Sequence, residues 1–198
     1  MSLLLLAAAA LPLLAQQISI QLDPAKTTIN FTLGTVLHTV HGNFQLQRAV
    51  IGFDAATGNM SGEIDVDAAS GQSGNQSRDR RMHKAILESG KYPEIRFFPT
   101  HLRGVIVRQG ESHVELDGQF EIHGAKHHLT IPADVQMSGD DVKATAHFAI
   151  PYVAWGMKNP STFILRVNDK VEIEVEAVGR LASNAGENLP DLRPAQLR

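Results

Sequence analysis

Nine histidines among 198 residues are the side chains best suited to chemistry here, since imidazole binds metals and moves protons near neutral pH. His38 and His41 stand three apart, which sends them to opposite faces of a strand, so only a turn between them lets both ligate one ion. His123, His127 and His128 flank a His-Gly turn, across which His123 can approach His128 on the outer face. No carboxylate falls beside either group at ligand spacing, so no metal site is expected. Arg78 and Asp79 are a further candidate, an ion pair at a helix start, where an Asp also suits the positive end of the helix dipole. HExxH, the GxSxG elbow, a phosphate-binding loop and the dinucleotide glycine fingerprint are all absent. The chain has no cysteine, which excludes disulfides, thiolate metal sites, a catalytic thiol and a lipid-bearing cysteine anchor. No catalytic residue and no cofactor are expected.

The elements that must position any site are strands. Val114, Leu116, Gly118, Phe120 and Ile122 alternate with polar neighbours, and Val171, Ile173, Val175 and Ala177 alternate with Glu172, Glu174 and Glu176. Weaker alternation marks residues 29–33, 44–46, 64–66, 129–137 and 142–150. Turn chemistry at Asp23-Pro24, Thr57-Gly58-Asn59, Gln109-Gly110, His123-Gly124 and Ser138 to Asp141 separates these runs, and short reversals demand antiparallel neighbours. The pattern predicts an all-β fold of about eight antiparallel strands, closed as a barrel or stacked as a sandwich. Strands of about ten residues and small inward positions (Gly118, Ala133, Ala144, Ala146) favour a barrel with room inside; the same alanines would also suit a solid core.

On this parity Phe31, Phe44, Ile64, Val66, Phe97, Phe120 and Phe148 point inward. Phe97 precedes Phe98-Pro99, where a bulge can exchange the two faces. One short helix is predicted near residues 78–88, with Ser77 as its cap, Met82 and Ile86 a turn apart on one face, and Gly90 and Pro93 beyond its end. The Gly- and Ser-rich stretch 69–76 ahead of it reads as a connector.

A hydrophobic fraction of 43% is enough for the core of one domain. The net charge of −3 lacks the positive field that nucleic acid or an anionic membrane surface attracts, so neither is an expected partner. Residues 1–15, a Leu- and Ala-rich run closing on a small residue, read as a signal peptide, with a mature start near Gln16 and a periplasmic or secreted destination. No other run is long enough to span a bilayer. Residues 182–198 lose the alternation and gain Pro, Asn and Gly, the composition of a disordered tail. The barrel is then residues 16–181.

Three segments carry a resemblance: His38 to Phe44, Ser77-Arg78-Asp79 leading to Lys91 through Phe97 with its Tyr92-Pro93, and Asp117 through Gly124. In order and spacing they resemble the YceI-like polyisoprenoid-binding family, over nearly all of residues 18 to 181. The resemblance implies an extended, lipocalin-like barrel whose apolar cavity holds a polyisoprenoid or other long-chain amphiphilic lipid in an exported bacterial protein. The helix near residues 78–88 is expected either to act as a lid, which adds Met82 and Ile86 to the seven inward residues as lipid contacts, or merely to plug one end of the barrel. A homodimer is left open. Pro151 to Thr162 is longer than a plain strand link and is expected to border the mouth.

Two other classes stand beside this reading. An enzyme acting on an isoprenoid-like or small apolar substrate would need a buried acid or base, for which His38, His41, His101 and Asp79 are the candidates. A solid-core periplasmic interaction protein would have no cavity. A continuous cavity excludes the last, and a titratable group inside it separates the first two.

Overall fold

A computed structural model of the chain describes residues 17–182 apart from Ile164; the expected leader at 1–15 and the expected tail beyond Ala182 lie outside the described residues. Nine strands make one antiparallel sheet: β1 Gln17–Leu22, β2 Thr28–Gly34, β3 Thr39–Asp54, β4 Met60–Gln72, β5 Glu94–Gly104, β6 Gln109–Ile122, β7 Ala125–Ser138, β8 Asp141–Ile150 and β9 Val171–Leu181. From β2 onward each strand pairs with its successor, and β9 returns to pair with β2 and β1, which closes the sheet into a barrel.

Nine strands fill eight positions around the wall. β1 runs against the second half of β3 and the end of β9, while β2 runs against the first half of β3 and the start of β9. The two are one stave interrupted at Asp23–Thr27. The Asp23 carbonyl accepts the Lys26 and Thr27 amides, and Thr27 Oγ1 accepts the Val178 amide. Asp23-Pro24 was expected to reverse the chain; instead the backbone kinks there and resumes its direction. The expected turn at Gln109-Gly110 is likewise the start of β6, and the reversal falls on residues 105–108.

Parity slips twice along the long strands. In β3 the inward set is Val40, Phe44 and Leu46, then Ala49, Ile51 and Phe53, with an irregularity in pairing between Leu46 and Arg48. In β5 it passes from Phe97 to Leu102 across an irregularity between Pro99 and His101. Such bulges add the local twist that a closing sheet needs. The bulge lies beyond Phe97, which stays inward at 4% exposure.

The two ends differ. Connections 35–38, 73–93, 123–124 and 151–170 gather at one end, the mouth, and 55–59, 105–108 and 139–140 at the other, the floor. Phe53, Val114 and Met137 are buried at the floor and belong to one apolar cluster. The mouth carries the helix α1 Gln76–Arg81 and a π-helical turn Met82–Ile86 that continues it. Its cap is Asn75, whose side chain accepts the Ser77 and Arg78 amides, so Ser77 is not the cap expected for it. β4 runs on to Gln72, which leaves three residues of the expected 69–76 connector, Ser73 to Asn75, as linker.

Candidate functional site

Inside the barrel lies a cavity of about 720 Å³, within the several-hundred-Å³ range of ligand sites. Every stave contributes to its wall. Phe31, Phe44, Phe97, Phe120 and Phe148 line it with rings, and Ile64, Val66, Met82 and Ile86 line it with aliphatic groups. All nine residues singled out from the sequence therefore face this space. Ala133, Ala144 and Ala146 line it as well, so the room beside them is open, and the solid-core alternative does not hold. Gly118 plays a different part from the one expected: a Cβ there would stand 2.6 Å from the Phe97 ring, so the missing side chain seats Phe97 instead of widening the cavity.

The rings form pairs along the wall, Phe31 with Phe44 at 5.4 Å between centroids and Phe97 with Phe120 at 6.5 Å. Trp155, from the 151–170 connection, meets Phe120 at 5.8 Å and stacks on His127 at 4.2 Å. Tyr152, in the same connection, lines the cavity and donates from its hydroxyl to the Asn168 carbonyl at 2.7 Å. Burial, and after it the Asp169 carboxylate, push its phenol up to about 12, so the connection is pinned by a neutral hydroxyl at physiological pH.

Polarity is concentrated at the rim. Apart from Thr27 and Arg96 on the wall, the polar side chains around the cavity are Thr35 and His38 in the β2–β3 turn, Tyr152, and Ser73, Asn75, Ser77, Arg78 and Arg81 in the helix-bearing connection. Arg78 and Asp79 do not pair with each other. The Arg78 guanidinium donates to Ser73 Oγ at 2.7 Å and to the Ser73 carbonyl at 2.8 Å, while the Asp79 carboxylate accepts the Ser73 amide and hydroxyl. His83 bonds the Gly71 carbonyl at 2.8 Å and Ser89 Oγ at 3.1 Å. These contacts hold both ends of the helical segment to the end of β4, so Met82 and Ile86 overhang the opening from a fixed frame.

The candidate acids and bases of an enzyme are scattered. His38 is exposed at the rim, His41 lies outside the barrel against Thr32 Oγ1, His101 pairs with Asn59 near the floor, and Asp79 is occupied by Ser73. The expected meeting of His123 with His128 does not occur: the His123 ring bonds Glu88 at 2.6 Å and lies against Tyr92, and His128 stands opposite Gln119. A metal-type grouping forms elsewhere, where Glu111, His113 and Asp134 bring ligand atoms within 4.8 Å of one another on the exposed outer face of β6 and β7. Sequence reading passed over it because Asp134 is on the neighbouring strand, and cross-strand partners appear only once register is known.

The sequence matches the YceI-like domain family over residues 20–179. It is 28% identical to a UPF0312 protein of Vibrio parahaemolyticus over 139 residues, 68% of this chain and 71% of that one. A polyisoprenoid-binding domain from Saccharophagus degradans, implicated in plant cell wall breakdown, superposes with a TM-score of 0.65 at 14% identity, covering 83% of this chain and 99% of that one. BcnA of Burkholderia cenocepacia gives 0.63 at 20% identity, with 79% and 98% covered. The YceI protein of Campylobacter jejuni gives 0.55 at 18% identity, with 68% and 80% covered.

Proposed function

The chain belongs to the YceI-like domain family, and from that premise we propose that it is an exported carrier that holds a polyisoprenoid or similar long-chain amphiphile in its barrel, without catalysing a reaction on it. The observation that carries this reading is the continuous apolar cavity with polar side chains gathered at one end. A ligand with the same division, apolar along its length and polar at its tip, matches it with the tail toward the floor and the head at the rim. Ten buried methylenes at ~0.8 kcal/mol each contribute ~8 kcal/mol, the scale of micromolar affinity, before any polar contact is made. The likeness to a polyisoprenoid-binding domain supports the ligand class. Export rests on the Leu- and Ala-rich run at 1–15, whose length suits a signal core better than a membrane span; among the described residues no helix is long and apolar enough to cross a membrane.

Organic extraction of the purified protein followed by mass spectrometry tests the ligand. A released long-chain lipid in near-stoichiometric amount is expected; an extract free of such lipid, together with failure of the stripped protein to retain a fluorescent polyprenyl probe, would overturn the reading. N-terminal sequencing of protein from the exported fraction should begin near Gln16.

A further inference from the structure

The net charge of −3 is an average over two unlike regions. Of the mouth connections, 73–93 carries Arg78, Arg80, Arg81, Lys84 and Lys91 against Asp79 and Glu88, and 151–170 carries Lys158, Arg166 and Lys170 against Asp169. Eight cations against three anions leave the mouth at +5, and the rest of the chain at −8.

The cations also differ in what they do. Away from the mouth, Lys26, Arg48, Arg96, Arg103, Lys126 and Arg180 are in ion pairs, and only Lys143 and Arg108 have no ion-pair partner among the described residues. At the mouth, Arg80, Arg81, Lys84, Lys158, Arg166 and Lys170 have no ion-pair partner among the described residues, whereas Glu88 is taken by His123 and Asp79 by Ser73. The wall acids Glu94 and Glu121, at the mouth ends of their strands, are held by Arg96, and Glu172 at the start of β9 faces His147, while Asp169 of the 151–170 connection has no ion-pair partner among the described residues.

Exposed apolar side chains stand at the same end of the barrel as these cations. Val36 and Leu37 are 64% and 72% exposed at the tip of the β2–β3 turn, and Phe163 is fully exposed. They share one edge of the rim. Thr35 bridges Val167, the Val36 amide donates to the Arg166 carbonyl, and the Thr162 amide donates to the Leu165 carbonyl, which sets Phe163 beside that ladder. Leu165 and Val167 in turn line the cavity, so the apolar edge continues into the opening.

We propose that the barrel docks mouth-first on an anionic lipid bilayer, with Val36, Leu37 and Phe163 entering the headgroup region and the free cations of the rim facing its phosphates. Apolar tips at the same end of the barrel as uncommitted cations match a surface that is apolar beneath a layer of negative charge. The acidic remainder of the molecule is repelled by the same surface, which fixes the orientation. A lipid could then pass between bilayer and cavity along the Leu165–Val167 edge without crossing water.

The proposal goes beyond carriage of a ligand and is tested separately from it. Flotation with vesicles of equimolar phosphatidylglycerol and phosphatidylcholine should carry the protein far more than vesicles of phosphatidylcholine alone, and rising salt should release it. Lys158→Ser, Arg166→Ser and Lys170→Ser together should lower partitioning at least about tenfold, and Leu37→Ser with Phe163→Ser by about tenfold. None of these side chains lines the cavity, so retention of a polyprenyl probe should be unchanged; loss of docking with retention intact distinguishes this proposal from the carrier reading. Val105→Ser with Val107→Ser alters the exposed apolar residues at the floor and should change nothing. Equal partitioning onto neutral vesicles, an equal loss in the floor variant, or preferential capture by soluble polyglutamate over anionic vesicles would overturn the proposal.

Discussion

At the floor of the barrel three connections of five, four and two residues join the strands, whereas at the mouth two of the four connections run to about twenty. The floor is closed by side chains of the strands themselves, Phe53, Val114 and Met137, packed as an ordinary core. The mouth is framed by inserted segments that are tied down by polar contacts: Arg78 and Asp79 on Ser73, His83 on Gly71 and Ser89, Tyr152 on Asn168. Both ends bury apolar side chains, Leu87, Tyr152 and Met157 of the mouth connections clustering with Ile95, Phe97 and Phe120. The mouth also sets polar side chains around the cavity, so the floor carries stability and the mouth carries both stability and access. Substitutions at the two ends should therefore fail in different ways.

The largest effect is expected at the floor. Phe53→Ala should cost about 3–5 kcal/mol, read as a lower urea midpoint with an unchanged denaturant slope, while protein that is still folded keeps its ligand. At the mouth, Met82→Asp with Ile86→Asp should reduce lipid retention tenfold or more yet shift stability of the delipidated protein much less, because both side chains are only half-buried. Thermal unfolding beside a binding isotherm separates the outcomes, and an unfolded double variant would make the helix a plug and erase the contrast. Tyr152→Phe should cost about 1 kcal/mol and leave the Asn168 carbonyl short of a partner. The same phenol carries a pH signature. Its folded value is raised to about 12, so the folded state holds the proton longer than the unfolded chain, and stability should fall as pH rises from about 10 to about 12. That slope should vanish in the Phe variant.

The smallest effect lies on the outer face of the wall. His113 is raised above the ordinary histidine value by its hydrogen bond to the Asp134 carboxylate, and then by the charges of Asp134 and Glu111. Its contribution is complete below the ordinary histidine value and is lost as pH climbs through the elevated one. His113→Gln should flatten a shallow decline in urea midpoint across that range and leave ligand retention alone.

Most of the wall was legible from alternation, since β6 through β9 keep strict parity and have short or well-marked boundaries. β3 was legible only as far as Leu46, because the bulge beyond it moves the inward set from even to odd numbers and destroys the pattern at the point where the strand coils most. β1 stayed hidden for a related reason: six residues with a turn signal behind them look like a separate piece, and only pairing with β3 and β9 shows half a stave. The cavity-facing residues were readable because facing inward is a local property of parity. The rim was not. The Ser73 latch, the His127–Trp155 stack and the Glu111–His113–Asp134 grouping each join residues whose proximity depends on register or on how a long connection folds back.

The interrupted stave also sets the order of assembly. Thr27 and Val178, bonded across the seam, lie 151 positions apart, whereas the other staves meet a neighbour that is next in the chain. Hairpins from β3 to β9 can form as they are synthesised, but the ring cannot shut until its last strand exists. Until then β9 and the β1–β2 pair each present an open edge, ready to pair with another chain, and closing them requires a long-range encounter of the kind that slows folding. A break at Asp23–Thr27 divides that encounter in two. β2 can find the start of β9 before β1 finds its end, so the seam can zip from one side instead of having to register along its full length at once.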